Sequence, residues 1–536
     1  MILIDPKLIF PALLLAAGLA VTVASAQQAP LSANDWLRGE GNPPGYSSAW
    51  RPGDPVPRDA SRRRPAPAPV KRVEPPDDIA TSAATVPVDV RRLGAANPDG
   101  AGIISARQAG LPDDFWRGTD LDTALRMIRA QPRIPASAQI ARRVLEAQLA
   151  PPALSGDHQT GAFFLARVDE LISQGALPSA RDLLQATGTE TSESFRRLFD
   201  LSLLLGGDSQ LCTRMEAAPG IITDPAARIF CMAQNGDWSG AALVLIGAGR
   251  LKMIDPQMAD LLTHYLDDAG AETAGEIAVT DPMTPLAFRL HEAIGRPLPT
   301  GDLDLAYAWS DLDDHAGWKA QLEAAERLAR ARALPAQSLH QLYTAQRPAA
   351  SGGVWERAAA IQALDAALAT GDPQRIGPAL VTAFRRMEHA GMRDAFAMMA
   401  APQLQPGMLQ GNAARLALWL KLWIGDTEVT RAPENQLDIA LLALASGGQP
   451  EPVSAALGAL APVFAADLPP APDPGDDIAL APALFGALAD ADAGIQGDVT
   501  RAARGVQTLR QLGLIADARR VATQIALDPL LKEAAQ

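Results

Sequence analysis

The residues with the most distinctive chemistry in this chain are its two cysteines, Cys212 and Cys231. Neither belongs to a C-x-x-C pair, so their spacing favours neither a zinc site nor a redox centre. Helical periodicity places Cys212 on the second helix of one hairpin and Cys231 on the first helix of the next, and such helices touch. In an oxidising compartment we expect a disulfide, which would stabilise the fold by about 3 kcal/mol. The alternative is two separately buried thiols.

The acidic clusters do not match known metal-binding loops. The run from Asp311 to Asp314 lacks the glycine and the glutamate that a calcium loop needs at its sixth and twelfth positions. The aspartates near the C-terminus, Asp490, Asp492 and Asp498, are also spaced wrongly and indicate a solvated turn. Paired carboxylates that converge in space from distant positions, as in glycoside hydrolases, remain an open alternative.

The histidines show no metal-binding pattern either. None belongs to an H-x-H or H-E-x-x-H motif, and no phosphate-binding glycine motif occurs in the chain. The six are His158, His264, His291, His315, His340 and His389. We therefore predict no catalytic residue, no metal site and no cofactor site.

Ser351 is the one hydroxyl whose surroundings invite a catalytic interpretation. It lies in a Ser-Gly-Gly turn that would expose it between two helices, but it lacks the G-x-S-x-G elbow and a neighbouring base. We predict instead that Ser351 caps the helix from Val354. Tyr343 and Trp355, on either side of the turn, are predicted core residues.

The elements that must position these residues are helices, because alanine and leucine are abundant and aromatic residues are scarce. From Phe195 to Leu205 the apolar side chains cover so much of a helix that it should pack on several sides. From Leu322 to Arg330 a narrower stripe predicts a surface helix, with Glu323–Arg327 and Glu326–Arg330 pairs on the outside. Strands are predicted only as short pieces near 86–90 and 102–105.

The turns between helices carry the most regular signal. Glycines interrupt the helical runs at Gly175, at Gly206 and Gly207, and at Gly236, at spacings of roughly 30 residues. A glycine can close one helix and a polar residue can cap the next, which makes Asp208 and Asp237 cap candidates. The layout recurs around Gly513. We predict an all-α fold, either an α-solenoid or an irregular array of helical hairpins.

The N-terminus has the features of a signal peptide. Lys7 precedes an apolar run of about 16 residues that ends at Val23, and Ala24, Ser25 and Ala26 form a cleavage site. The run is short of the roughly 20 residues that span a bilayer as a helix, so no transmembrane segment is predicted in the mature chain. We expect a periplasmic or secreted protein that begins near Gln27. An uncleaved membrane anchor is the alternative.

Composition divides the chain into three parts. Residues 1–26 are the signal peptide, residues 27–111 form a segment rich in Pro, Ala and Arg that is predicted to be disordered, and residues 112–536 form the helical body, with a loop-rich break near 466–480. The formal net charge is −14, and the acidic excess lies on the body. That charge argues against nucleic acid as a partner.

Two resemblances add to this interpretation. The period of the helical hairpins resembles that of tetratricopeptide and Sel1-like repeats, although the Trp, Gly, Tyr and Pro landmarks of the former are missing. The order of parts, from the signal peptide through the run at 111–116 to the one at 348–355, resembles uncharacterised secreted α-helical proteins of α-proteobacteria. Some of these are labelled antifreeze glycopeptide polyproteins, but this chain has no array of Ala-Ala-Thr repeats. The resemblance implies compartment and layout, and no catalytic residue.

Two classes of function are consistent with these features. The first is an exported helical-repeat scaffold or adaptor without catalytic activity, which binds partner proteins in the periplasm or envelope through an extended surface. The second is a protein that binds or degrades peptidoglycan and carries a helical superhelix. The absence of a recognisable catalytic motif favours the scaffold.

Overall fold

The computed structural model describes residues 97–155, 158–187, 191–267, 277–313, 315–429, 432–465 and 479–536. The predicted signal peptide, the tail up to residue 96 with its strand candidate at 86–90, and most of the predicted break near 466–480 lie outside these residues. The description that follows concerns the helical body alone.

The described part of the chain is all-α, as predicted. Three of the described helices begin at an Asp-Pro pair, in which the aspartate side chain accepts a hydrogen bond from the amide two residues on; the aspartates are Asp224, Asp255 and Asp372. None of the described helices is long and apolar enough to cross a bilayer. The helices are α1 Ala106–Ala109, α2 Leu121–Ile128, α3 Pro135–Glu146, α4 Ala162–Ser173, α5 Leu177–Ala186, α6 Ser192–Leu205, α7 Asp208–Ala217, α8 Pro225–Gln234, α9 Trp238–Arg250, α10 Pro256–Leu266, α11 Pro285–Ala293, α12 Trp318–Arg330, α13 Ala336–Thr344, α14 Gly353–Thr370, α15 Pro373–His389, α16 Arg393–Ala400, α17 Gly411–Ile424, α18 Gln436–Ser446, α19 Ala455–Leu460, α20 Leu480–Asp492, α21 Val499–Gln511 and α22 Ile515–Ala534.

The described residues already have regular structure from Pro98 on, before the predicted boundary at Leu111. A 3-10 turn at Pro98–Gly100 is followed by strand β1, Ile104–Ser105, which pairs in parallel with β2, Ala147–Gln148. The strand at Ile104–Ser105 agrees with the short piece predicted at 102–105, whereas β2 was not predicted. The boundary therefore needs correction, because residues 97–111 pack against α4 instead of belonging to the tail.

Two buried charged residues hold this N-terminal piece in place. The Asp99 carboxylate accepts hydrogen bonds from the amides of Gly161 and Phe164, both at 2.8 Å, and so caps α4. Arg167, fully buried on the same helix, donates to the carbonyls of Ala147 and Ala101. Burial lowers the pKa of Arg167 to about 10.

The glycine turns confirm the predicted helix ends, but only one of the three predicted caps is confirmed. Gly175 and Gly236 have φ angles of +72° and +92°, and Asp237 accepts from the Gly240 amide at 2.9 Å. Asp208 is instead the first residue of α7, after Gly207 at the cap position. Ser351 does not cap α14 either, because that position belongs to Gly352. In both turns a glycine with positive φ occupies the cap position, so the adjacent polar residue lies one place away from it.

The two helices singled out in the sequence differ in how well they were predicted. α6 is buried on several sides, as its broad apolar face indicated. α12 buries its apolar stripe as predicted, and the predicted Glu326–Arg330 pair forms at 3.0 Å, but the Glu323–Arg327 pair does not form and Glu326 does not lie on the outside. Glu326 is only 1% exposed, Arg327 donates to the carbonyls of Thr300 and Leu303, and Glu323 pairs with Lys319. A neighbouring helix, α14, covers the face that the isolated pattern placed in solvent.

The N-terminal helices pack against the C-terminal ones. α3 packs on α20 and α22, and Trp116 stacks on Phe485 with ring centroids 6.2 Å apart. The Ala136 amide at the start of α3 donates to Gln524 Oε1 at 2.8 Å, and Gln524 Nε2 donates to the Trp423 carbonyl. In an open solenoid each repeat contacts only its neighbours. This contact between the two ends of the body favours the irregular array of the two predicted architectures.

A separate group of four helices follows α6 in the sequence, and the chain then packs back on α6. We call Asp208–Leu266, comprising α7 to α10, the disulfide lobe. Cys212 on α7 and Cys231 on α8 form the predicted disulfide, with Cα atoms 4.8 Å apart. After α10 the chain packs back on α6 through α11.

Candidate functional site

A large cavity in the described body lies where several segments distant in sequence meet. It measures about 620 Å³ and is lined by the turn before α3 and one face of that helix, the end of α4, the turn after α12, the start of α16 and one residue of α22. A volume of this size is typical of small-molecule and terminal-peptide sites. We call it the arginine pocket.

The charge of the pocket is opposite to that of the chain. Its lining contains one aspartate, Asp394, and five arginines. The arginines are Arg133, Arg142, Arg330, Arg332 and Arg520. Because the whole chain has a formal charge of −14, this concentration of guanidinium groups is a local property that the overall composition conceals. Guanidinium groups bind carboxylates and phosphates through paired hydrogen bonds, so the pocket has the chemistry of an anion site.

Arg332 lines this pocket and has an unfavourable backbone conformation. Its φ of +58° lies in the left-handed region, which costs a non-glycine residue about 1–2 kcal/mol. The side chain donates to the carbonyl of Arg133 at 2.7 Å, and its Nε lies 3.8 Å from Asp394 Oδ2. That buried Nε finds no hydrogen-bond acceptor among the described residues.

Arg142 lies beside Arg332 and is oriented by its own chain of amides. Its Nε donates to Gln174 Oε1 at 3.0 Å, and Gln174 Nε2 donates in turn to Glu170 Oε1 at 2.8 Å. Burial lowers the pKa of Arg142, and the positive charge of Arg332 lowers it further, while Glu146 acts in the opposite direction. Burial is also the main reason that the pKa of Arg332 is lowered. A bound anion would relieve both effects, because it stabilises the charged form.

Asp394 and Arg520, which also line the pocket, are held by hydrogen bonds to other helices. Asp394 accepts from the Trp423 indole at 3.0 Å, which fixes one of its oxygens. Arg520 donates to Gln139 Oε1 at 2.8 Å, and its buried Nε has no acceptor in the described part of the chain. Two of the five arginines therefore present a buried donor that the described residues leave unsatisfied.

Arg330 is held from beneath the pocket by a buried carboxylate. Glu326 Oε1 accepts from Tyr343 at 2.8 Å and from Arg357 Nε at 2.6 Å, and its Oε2 accepts from Arg357 at 2.6 Å and from Arg330 at 3.0 Å. Burial, followed by the Glu326 charge, raises the pKa of Tyr343. Both oxygens of Glu326 are engaged, so this carboxylate positions Arg330 and does not act as a base.

The residues that line the pocket are better suited to binding a ligand than to breaking a bond. Arginine stays protonated and cannot serve as a general base at neutral pH. Asp394 is the one carboxylate among the described lining residues, and the lining hydroxyl, Ser173, donates to the Glu170 carbonyl. A glycosidase would need two carboxylates flanking a sugar bond.

The residues singled out in the sequence lie elsewhere. The disulfide of Cys212 and Cys231 is in its own lobe, and no group of three or more metal-ligating side chains occurs among the described residues. Asp492, assigned to a solvated turn, instead accepts from the amides of Arg133 and Ile134 at 2.7 and 3.1 Å and so holds the turn before α3 from a distant helix. That assignment was wrong, because the approach of α20 to α3 is a tertiary contact.

The two other aspartates of that predicted turn are also engaged in the fold. Asp498 caps α21 by accepting from the Arg501 amide at 3.0 Å, and Asp490 pairs with the Arg501 side chain at 2.7 Å. No sequence signal announced the arginine pocket itself. The nearest one was local, the arginines at 330 and 332 that flank the end of α12.

Comparison of the chain with protein-family models, with curated proteins and with solved structures gave no match. The geometry and charge of the arginine pocket are therefore the features that point to a function.

Proposed function

We propose that this chain is an exported, non-catalytic binding scaffold, and that its recognition site is the arginine pocket, which takes an anionic group of a partner protein in the cell envelope. The observation that carries the proposal is the convergence of five arginines on one cavity that contains one carboxylate. A chain with an acidic excess has no general reason to collect guanidinium groups in this way. Binding of an anion provides one.

The pocket wall also carries buried donors that the described residues leave unsatisfied. A buried N–H without an acceptor costs about 1–3 kcal/mol, and native structures contain few of them. Arg332 and Arg520 each carry one on the pocket wall. The backbone strain at Arg332 adds to this cost. Arg143 and Arg167, outside the pocket, also carry one, so the five converging charges, and not the donors, distinguish the pocket.

Two independent features support the proposed compartment. The N-terminal sequence has the pattern of a signal peptide, and the disulfide is of the kind that persists in oxidising compartments. Together they support a periplasmic or secreted location. The partner would then present a carboxylate from an acidic side chain or a chain terminus, or a phosphate.

The test is calorimetric titration of the mature chain from Gln27 with three probes: a tetra-aspartate peptide, pyrophosphate, and soluble peptidoglycan fragments whose stem peptides carry carboxylates. We expect at least one probe to bind, with an affinity that falls as salt is raised. Arg142→Gln should weaken that binding by about 10- to 100-fold, the effect of one charge-assisted hydrogen bond. Selective binding of the peptidoglycan fragments would identify the wall as the partner in place of a protein.

Arg504→Gln is the matched control, because it removes the same charge from an exposed position on α21, away from the pocket. Its affinity should equal that of the parent chain. If no probe binds, or if Arg142→Gln and Arg504→Gln behave alike, the pocket is not the recognition site. In that case, crosslinking of the mature chain in envelope fractions would show whether a scaffold role survives on another surface.

A further inference from the structure

The most exposed apolar surface of the described chain lies on the disulfide lobe, far in sequence from most of the arginine pocket. Leu251 and Leu243 are 72% and 71% exposed, and Met253 and Ile246 are 58% and 55% exposed. They belong to α9 and the turn that follows it. Large apolar side chains gathered on one surface mark an interaction site more often than scattered ones do.

The exposed residues of α9 form one continuous face. The helix packs through Ala241, Leu245 and Ala248 against α8 and α10. Its opposite face, at intervals of three and four residues, carries Leu243, Ile246 and Arg250, with Ser239 at the N-terminal end. Gly247 lies at the edge of this face, and a Cβ built there would meet nothing within 4 Å. The face thus combines protruding side chains with a place where another backbone can approach.

The charges at the two ends of this face are opposite in sign. Asp237 precedes the helix at its N-terminal end, and Arg250 and Lys252 lie at its C-terminal end; all three are exposed. If a second α9 lies antiparallel across the first, with the two-fold axis between Leu243 and Ile246, Asp237 of each copy faces Arg250 and Lys252 of the other. In the same arrangement Leu243 meets Ile246 of the second copy. A parallel arrangement would bring like charges together instead.

We propose that α9 is the interface of a homodimer, in which the exposed faces of two copies pack antiparallel about a two-fold axis. An isologous contact requires a surface that is complementary to itself. The α9 face meets this requirement in shape, through Leu243 and Gly247, and in charge, through Asp237 and Arg250. A lipid surface would suit the apolar residues, but an anionic leaflet would repel a chain with a formal charge of −14.

Sedimentation velocity of the mature chain, at concentrations from about 1 to 100 µM, tests this interface. The parent should sediment as a dimer in the upper part of that range, and Leu243→Glu should raise the dissociation constant by at least about 10-fold. Leu154→Glu is the matched control, because Leu154 is 57% exposed outside the lobe, and this variant should dimerise like the parent. Both positions are exposed, so both variants should fold, and their melting temperatures check this.

A charge-exchange experiment tests whether the charges at the two ends of α9 contribute to the pairing. One chain carries Asp237→Lys and the other carries Arg250→Glu with Lys252→Glu, so that each alone places like charges at both ends of its interface. Each alone should be monomeric, and their mixture should form a heterodimer. A parent chain that stays monomeric throughout the range overturns the proposal, and so does a dimer that Leu243→Glu leaves intact. Monomers that bind vesicles through Leu243 would identify a lipid surface instead.

Discussion

The arginine pocket and the disulfide lobe are held together in opposite ways. Around the pocket, contacts join residues far apart in sequence, such as the Ala136 amide with Gln524 and the Arg133 and Ile134 amides with Asp492. Within the lobe, each helix packs on the next, and the covalent link closes a separation of only 19 residues. The pocket buries charged groups, whereas the lobe exposes apolar ones.

This difference indicates where each region obtains its stability. The lobe is a local structure that neighbouring helices and one disulfide can specify. The pocket depends on the approach of the two ends of the body, and its buried charges must be matched by partners from several helices. We therefore expect substitutions around the pocket to affect the whole body and substitutions in the lobe to act locally.

The largest effect is expected from removing the carboxylate beneath the pocket. Glu326→Ala leaves Arg357 and Tyr343 without their shared buried acceptor and should lower the free energy of unfolding by about 3–5 kcal/mol. Urea denaturation measures this. Glu323→Ala, three residues earlier on the same helix, removes an exposed pair with Lys319 and should cost less than about 1 kcal/mol. Equal costs would show that the buried network does not stabilise the pocket region.

The disulfide should come next in magnitude. Replacing both cysteines, Cys212→Ala with Cys231→Ala, should cost about 3 kcal/mol by releasing a loop of this length in the unfolded chain. Hydrogen exchange should rise in α7 and α8 and stay unchanged in α3 and α22. Increased exchange across the whole body would contradict the local character of the lobe.

Substitution of Asp200, on the helix from which the lobe extends, should stabilise the fold. Burial raises the pKa of this carboxyl from 3.8 to about 6, so its ionised form is less favourable in the folded chain than in the unfolded one. The penalty is fully present above pH 6 and disappears as the pH falls through that value towards 4. Asp200→Asn should therefore raise the free energy of unfolding by about 2 kcal/mol at pH 7 and by much less at pH 4. Denaturation of parent and variant at both pH values measures the difference, and a gain that is equal at the two values would exclude ionisation as the cause.

The smallest predicted effect on stability comes from substitution of Asp492, and it distinguishes loss of stability from loss of binding. Asp492→Ala removes the acceptor that α20 provides for the amides of the turn before α3 and should cost about 1 kcal/mol. It should also weaken anion binding, because the turn that it holds carries Arg133 into the pocket wall. Asp498→Ala removes a cap of similar strength within its own helix. A variant of Asp498 that loses binding as much as the Asp492 variant would mean that general destabilisation is responsible.

Predictions from the sequence succeeded where the determining contacts are local. The apolar face of α6 and the cap at Asp237 each depend on residues within one helix or its turn. The cap of α7 was predicted at Asp208 but lies at Gly207. This is an error of one position, since either residue type can occupy a cap. The larger error concerns Glu326. A charged residue on a helix face is predicted to be solvated unless the position of the covering helix is known.

The amino-acid sequence by itself determined that the body is helical, where its glycine turns lie, and that its two cysteines come from adjacent helices. These features follow from backbone conformation and from periodicity over a few turns. Only the tertiary structure decided that five arginines share one cavity, that Glu326 is buried beneath it, and that one face of α9 stays uncovered. The arginines span positions 133 to 520, and no local pattern records which distant helices approach one another. The function proposed for this chain therefore rests on its long-range packing.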